Sequence, residues 1–119
     1  EYSGANNPLW QIRNGDILET RADRQPVGFF GDNLKTPYTN NEIEVHQGDA
    51  LYLFSDGYAD QFGGPNGKKF KYSQFKSLLL GVQEETMDSQ KDILNTRIEE
   101  WMGDEEEQID DILIVGIRF

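Results

Sequence analysis

The sequence predicts an α+β fold in which mostly antiparallel strands come first and two helices follow them. Three observations predict it. The first half alternates short apolar runs with turn residues, the second half carries apolar residues at helical spacing, and a further apolar run ends the chain. At 119 residues, without a break in composition, the chain is long enough for one hydrophobic core and has no visible internal domain boundary.

The first two strands are predicted on either side of an Asn-Gly turn. Leu9–Arg13 and Asp16–Thr20 flank this dipeptide at positions 14 and 15, and Asn-Gly supplies the positive φ angles that a type I′ hairpin turn requires. Two loops, Gln25–Gly28 and Gly31–Asn33, are predicted to follow the hairpin.

The next part of the chain is predicted to hold a half-exposed strand and a central strand. Glu42–Val45 alternates between polar and apolar residues, and His46–Asp49 turns the chain. Ala50–Phe54 is apolar at every position, which is typical of a strand buried on both faces. The glycine-rich segment Gly63–Gly67 is predicted to be a flexible loop.

Two helices are predicted in the second half. The first has Ser73 as its N-cap and Gly81 as its stop signal. Its apolar stripe consists of Phe75, Leu78, Leu79 and Val82. The second helix carries the stripe Met87, Leu94, Ile98 and Trp101, with Gly103 just past its end. A solvated acidic loop, Asp104–Glu107, then leads to the last apolar run.

Acidic residues stand at the ends of two apolar runs. Asp56 follows the central strand and precedes a glycine, whereas Asp110 and Asp111 come directly before Ile112–Val115. Two such strands can bring their acids together at one edge of a sheet, and Mg²⁺ and Mn²⁺ bind a few carboxylates together with water. Each acidic site alone is also explained as a turn or a solvated pair. The metal-site interpretation therefore depends on both sites together.

Composition excludes several classes of function. The net charge of −11 argues against nucleic acid or an anionic membrane as a partner. The absence of cysteine excludes disulfides and thiolate metal sites. Because neither a membrane-spanning run nor a signal peptide is visible, we expect a cytoplasmic protein. The single histidine, His46, is expected at the surface, and neither Ser3 nor Ser55 has the neighbours of a nucleophile triad.

Four segments occur in the order and rough spacing of one known family: Tyr2–Leu9, Gln25–Gly28, His46–Gly57 and Asp110–Val115. They resemble the C-terminal half of the SpoIIE-like branch of the bacterial metal-dependent (protein phosphatase 2C) serine/threonine phosphatases. The most specific part is Gly-Asp-x-Leu-x-x-x-Ser-Asp-Gly, which ends at Gly57. The resemblance covers residues 1–119 and implies a layered α-β-β-α sandwich. The chain would form the C-terminal portion of this sandwich, without the N-terminal half.

The resemblance also implies a metal site. The complete domain would hold two Mn²⁺ or Mg²⁺ ions that activate a water for attack on a phosphomonoester. By position, Asp56 and Asp110 would be metal ligands, and Asp111 would orient the site or serve as an alternate ligand. No catalytic residue beyond the metal ligands is expected. Two departures stand out: Ala5 lies in the region where many relatives have a histidine, and the Asp-Gly-His-Gly motif that supplies the bridging acid is absent. The 119 residues alone are therefore expected to be inactive.

Three interpretations stay open. The first is part of a bacterial signalling phosphatase that acts on a phosphorylated partner protein, with a sensor or repeat region upstream in the same chain. The second is a degenerate phosphatase-like module that binds or regulates without catalysis, and the third is an unrelated acidic α/β domain. An Asp-Gly-His-Gly motif upstream would favour the enzyme over the binding module. Because missing strands leave apolar surface uncovered, we also expect a homodimer at high concentration.

Overall fold

The structure, a computed structural model, describes residues 1–4, 6–24 and 37–119. The strands are β1 (Leu9–Arg13), β2 (Asp16–Thr20), β3 (Ala50–Phe54), β4 (Phe62–Gly63), β5 (Lys68–Lys69) and β6 (Ile114–Arg118). The helices are α1 (Gly57–Asp60), α2 (Tyr72–Gly81) and α3 (Met87–Met102). The α+β class predicted from the sequence is confirmed. In the described part of the chain, no helix is both long and apolar enough to span a membrane.

Four strands form one antiparallel sheet in the order β2-β1-β3-β6. The predicted β1–β2 hairpin is confirmed, with φ angles of 50° at Asn14 and 81° at Gly15. In the pairing of β3 with β6, Phe54 lies opposite Ile114. Because these two strands are antiparallel, the end of β3 and the start of β6 meet at one edge of the sheet.

Helices α2 and α3 cover one face of the sheet. The buried core on this face consists of Trp10, Ile12, Ala50, Tyr52, Phe54, Tyr58, Phe70, Phe75, Leu79, Leu94 and Ile98. The ring of Trp10 lies 4.3 Å from that of Phe54, 5.3 Å from Phe75 and 6.0 Å from Tyr72, measured between centroids. This aromatic cluster fixes the first turn of α2 against the sheet.

The opposite face of the sheet is open in the described residues. Alternate side chains of a strand point to opposite faces, so Leu53 turns away from the helices and is 38% exposed, whereas Tyr52 and Phe54 are buried. On the same face of β6, Val115, which pairs with Leu53, is 42% exposed, and Ile117, which pairs with Leu51, is 44% exposed. The prediction that β3 is buried on both faces is therefore wrong for the described chain, because none of its elements packs on this side.

Two other predictions in the first half have different outcomes. The turn at His46–Asp49 is confirmed. The strand predicted over Glu42–Val45 is wrong, because this segment belongs to no strand. Its Glu44 carbonyl accepts hydrogen bonds from the Gln11 amide, at 2.9 Å, and the Arg13 guanidinium, at 3.1 Å, so side chains take the place of a strand partner. The predicted loops Gln25–Gly28 and Gly31–Asn33 lie outside the described residues.

The helical predictions are confirmed in position but differ in detail. Helix α3 begins at an N-cap, Thr86, whose side chain accepts a hydrogen bond from the Ser89 amide, and ends at Gly103 with φ 60°. Helix α2 begins at Tyr72, so Ser73 lies inside the first turn and is not the N-cap. The N-cap position is Lys71, with φ 76° and no side-chain cap, because tertiary contacts set the start of this helix.

The remaining connections are more ordered than predicted. Gly63–Gly67 contributes to a β4–β5 hairpin and is not a free loop. A Cβ atom on Gly63 or Gly64 would overlap Trp101, so close packing requires glycine at both positions.

The last strand begins later than its apolar run. The run begins at Ile112, but strand β6 begins at Ile114, and Leu113 is 62% exposed.

Candidate metal centre

Asp56 lies on the turn that leads from β3 into α1. It occupies the N-cap position of this short helix, and its backbone carbonyl accepts a hydrogen bond from the Asp60 amide at 2.9 Å. The side chain is exposed, so its carboxylate is accessible at the edge of the sheet.

The Asp110-Asp111 segment lies directly against this turn. A Cβ atom on Gly57 would overlap the backbone carbonyl of Asp111, so glycine at this position permits the close approach. The glycine of this Asp-Gly dipeptide is therefore required by packing. The two acidic segments that the sequence pairs are indeed neighbours in the fold.

Ser55 joins the two segments with three hydrogen bonds. Its backbone N–H donates to the Leu113 carbonyl at 2.9 Å, and its hydroxyl donates to the Asp111 carbonyl at 2.7 Å. The same hydroxyl oxygen accepts from the Leu113 amide at 3.0 Å. Ser55 therefore has a structural role, because its bonds extend the β3–β6 pairing up to the acids.

Tyr72 is a residue of this site that sequence reasoning missed. Its hydroxyl donates a hydrogen bond to Oδ1 of Asp56. Burial raises the pKa of Tyr72 well above its ordinary value, and the hydrogen bond to Asp56 raises it further, so the hydroxyl stays a donor at neutral pH. The available signal was its position three residues before Phe75, which puts both residues on the same face of α2.

Asp110 and Asp111 are both exposed. Oδ1 of Asp110 accepts a hydrogen bond from the Asp111 amide at 2.7 Å, and the Asp110 carbonyl accepts one from the Gln108 side chain at 2.9 Å. Within residues 1–4, 6–24 and 37–119, neither Asp110, Asp111 nor Asp56 forms an ion pair. Their negative charges are therefore not compensated by this part of the chain.

The donor atoms at this edge match a hard divalent cation in kind but not in number. Carboxylate, carbonyl and hydroxyl oxygens are the ligands that Mg²⁺ and Mn²⁺ prefer. Among the residues that the structure describes, however, no group of three or more acidic or histidine side chains is placed to hold a metal ion. The assignment of Asp56, Asp110 and Asp111 as metal ligands stays a prediction.

The opposite end of β3 carries a different kind of acid. Asp49 is 1% exposed, and its carboxylate binds Nε and Nη2 of Arg13 at 3.0 and 2.7 Å. It also accepts hydrogen bonds from the Gln11 side chain and the His46 amide, both at 2.8 Å. The Arg13 guanidinium holds the pKa of Asp49 well below its usual range, against the opposing effect of burial. Asp49 is thus a structural acid.

His46 lies at the surface, as predicted. Its side chain is 51% exposed, and its Nε2 atom lies 2.7 Å from Oε1 of Glu44. The hydrogen bond to His46 lowers the pKa of Glu44. This exposed pair lies at the end of the sheet opposite Asp56.

The fold is that of a phosphatase domain of the phosphatase 2C class. The chain is similar to the SiaA-PP2C domain of Pseudomonas aeruginosa, with a TM-score of 0.84 and 29% sequence identity over 98% of this chain. It also resembles the phosphatase domain of the cell fate determinant SpoIIE from Bacillus subtilis, in a crystal form without domain swapping. That likeness has a TM-score of 0.57 and 19% identity over 94% of this chain. A second structure of the same domain, Mn presoaked, has a TM-score of 0.58 at 19% identity over 93% of this chain.

The family follows from the sequence itself. A family model described as stage II sporulation protein E (SpoIIE) matches residues 1–119, and the chain belongs to this family. The chain spans 45–46% of the length of the solved chains that it resembles. No curated protein sequence matches it significantly. The predicted resemblance to the SpoIIE-like phosphatases is confirmed.

Proposed function

We propose that the chain contributes metal ligands to a phosphatase domain that removes phosphate from serine or threonine in a partner protein. The observation that carries this proposal is the contact of the Asp56 turn with the Asp110-Asp111 segment, which Gly57 permits. In a SpoIIE-family chain, this contact puts uncompensated acids at one edge of the sheet, where a hard cation would bind.

In this proposal each residue at the sheet edge has a defined task. Asp56 and Asp110 bind Mn²⁺ or Mg²⁺, and Asp111 orients the site or serves as an alternate ligand. When bound, such ions lower the pKa of a water molecule and neutralise charge on the phosphate. Ser55 keeps the two acidic segments in register through its bonds to Asp111 and Leu113.

The proposal requires a further part of the domain. Two ions need more acidic ligands than the described residues bring together, and the chain spans less than half the length of its solved relatives. We propose that this chain is the C-terminal portion of the domain and that its open sheet face, with Leu53, Val115 and Ile117, packs against the remainder. An upstream sensor region and a cytoplasmic setting belong to the same proposal.

A second candidate function is a phosphatase-like module that binds a partner without hydrolysis. The observation in its favour is that no group of three acidic or histidine side chains in the described chain could hold a metal. A missing set of ligands is expected of a degenerate site and of an incomplete one alike. Activity of the complete protein separates the two.

The test is a phosphopeptide hydrolysis assay of the full-length protein with and without Mn²⁺. We expect metal-dependent turnover that Asp56→Asn lowers by about a hundredfold or more, because one anionic ligand is lost. Asp104→Asn is the matched control, since it removes the same charge from an exposed residue of the acidic loop. Turnover unchanged by Asp56→Asn at saturating Mn²⁺ would make Asp56 a turn residue, and absence of any turnover would favour the binding module.

A further inference from the structure

Tyr72 approaches Asp56 from the start of helix α2. Its hydroxyl donates to Oδ1 of Asp56. Its ring packs edge-on against Trp10 at 6.0 Å and in a tilted arrangement against Phe54 at 6.1 Å, measured between centroids. Since both partners are core residues of the sheet, the ring has little freedom to move. The hydroxyl is therefore held at a fixed place beside the Asp56 turn.

The backbone before Tyr72 is tied to the backbone after Asp56. The Lys71 amide donates to the Ala59 carbonyl at 2.8 Å, and the Phe70 amide donates to the Gln61 carbonyl at 2.9 Å. Lys71 has φ 76° and ψ 152°, a backbone conformation that residues other than glycine avoid. The strained residue therefore directly precedes Tyr72, which is the first residue of α2.

The chemistry of the contact suits a metal ligand better than a structural acid. An ionised carboxylate has about four lone-pair sites, so one hydrogen bond to Oδ1 leaves the second oxygen available to a cation. The tyrosine hydroxyl is neutral and does not cancel the charge of Asp56. Asp49 differs, because the Arg13 guanidinium contacts both of its oxygens.

We propose that Tyr72 is a positioning residue that orients the carboxylate of Asp56 for a divalent cation. The inference rests on the proposed function, because it requires Asp56 to be a metal ligand. In this role Tyr72 acts through the Asp56 carboxylate and is not itself a metal ligand. It restricts the rotation of the Asp56 side chain, as the hydrogen-bonded neighbours of metal ligands commonly do.

The test measures Mn²⁺ binding to the full-length protein by electron paramagnetic resonance of the free ion. We expect Tyr72→Phe, which keeps the ring, to weaken Mn²⁺ affinity by about tenfold or more and to raise the Mn²⁺ concentration for half-maximal turnover in parallel. Tyr52→Phe is the matched control, since it removes a buried hydroxyl bonded to Gln90 and Gln83 on the helix side. This control is expected to keep the Mn²⁺ affinity of the parent protein.

Two further variants separate failure of this inference from failure of the proposed function. If Asp56→Asn abolishes Mn²⁺ binding while Tyr72→Phe binds as the parent does, Tyr72 has no positioning role. Tighter binding by Tyr72→Phe would also overturn the inference, because the hydroxyl would then compete with the metal. If Asp56→Asn itself leaves Mn²⁺ binding unchanged, the proposed function fails and the inference fails with it. Tyr72→Leu, which removes ring and hydroxyl together, should weaken binding at least as much as Tyr72→Phe, and parent-like affinity would count against the inference.

Discussion

The two ends of strand β3 each carry an acidic residue, and the fold treats the two in opposite ways. Asp49, before the strand, is buried and bound by the Arg13 guanidinium. Asp56, after the strand, is exposed. In the described part of the chain its carboxylate is bonded to a neutral tyrosine hydroxyl and to no cationic side chain.

The difference separates an acid that holds the fold from an acid that is available to a ligand. A carboxylate bound to guanidinium has its charge compensated within the protein. A carboxylate held by a neutral donor is oriented without being paired to a cationic side chain, as at Asp56. Asp110 and Asp111 join it at the same edge without an ion pair among the described residues. At one end of the sheet the carboxylate of Asp49 is therefore paired with a cationic side chain. At the other end, hereafter the open end, the carboxylates of Asp56, Asp110 and Asp111 have no such partner among the described residues.

The largest expected effects come from replacing one acid at each end of β3 in the full-length protein. Asp110→Asn should lower Mn²⁺-dependent turnover by about a hundredfold or more while leaving the midpoint of thermal unfolding nearly unchanged. Asp49→Asn should lower the midpoint of thermal unfolding and leave turnover nearly unchanged, because it leaves Arg13 without its buried partner. Its unfolding midpoint should fall by roughly ten degrees, with Mn²⁺ affinity unaltered.

Calorimetry and phosphopeptide assays on the same two variants provide the measurement. Equal losses of activity in both variants would mean that the two ends of the strand are not independent. A large drop in unfolding temperature for Asp110→Asn would make it a structural acid like Asp49.

A smaller effect is expected on the stability of the fold at low pH. The folded pKa of Asp49 lies well below its usual range because Arg13 bonds to the carboxylate, whereas an unfolded aspartate titrates near about 3.9. The stability from this group is therefore present in full above about pH 4 and is lost as the pH falls through the folded pKa. The unfolding midpoint measured from pH 7 to pH 2 should decrease more steeply below about pH 4 in the parent than in Asp49→Asn. Parallel curves would exclude the pKa shift.

The smallest effect concerns the backbone that supports the open end. Lys71→Gly should stabilise the protein by about 1 kcal/mol, because glycine accepts the positive φ angle of this position while its greater freedom in the unfolded chain offsets part of the gain. Lys68→Gly is the matched control, since Lys68 is an exposed strand residue outside the positive-φ set, and it should destabilise slightly. Urea unfolding of both variants gives the comparison, and a loss of stability in Lys71→Gly would show that position 71 is not strained.

Much of the fold was predictable because its signals are local. The Asn-Gly turn at positions 14 and 15 defines the first hairpin by its own backbone preference, and the apolar stripe of α3 with Gly103 after it defines a helix and its end. The start of α2 was not predictable, because the Lys71 amide is held by a hydrogen bond to the Ala59 carbonyl in α1, which is distant in sequence. Burial of both faces of β3 was inferred from composition, which does not say whether the chain itself supplies both covering layers.

For the candidate metal centre, the sequence predicts that the acids meet but not what surrounds them. Asp56 follows the end of β3 at Phe54, and Asp111 precedes the start of β6 at Ile114, so the antiparallel pairing of these strands brings the two acids to one edge. The part played by Tyr72 depends on where α2 packs against Trp10 and Phe54, which is a property of the assembled core. Asp49 and Arg13 likewise meet only through the register of β1 with β3.

The aromatic cluster around Trp10 has an optical consequence. Trp10 is 1% exposed, and its indole lies 6.0 Å from the ring whose hydroxyl bonds to Asp56. Its emission is therefore sensitive to any displacement of that ring, which makes the indole an intrinsic fluorophore for events at the open end. The protein thus carries its own reporter of the position of the Tyr72 ring, and no added label is needed to follow it.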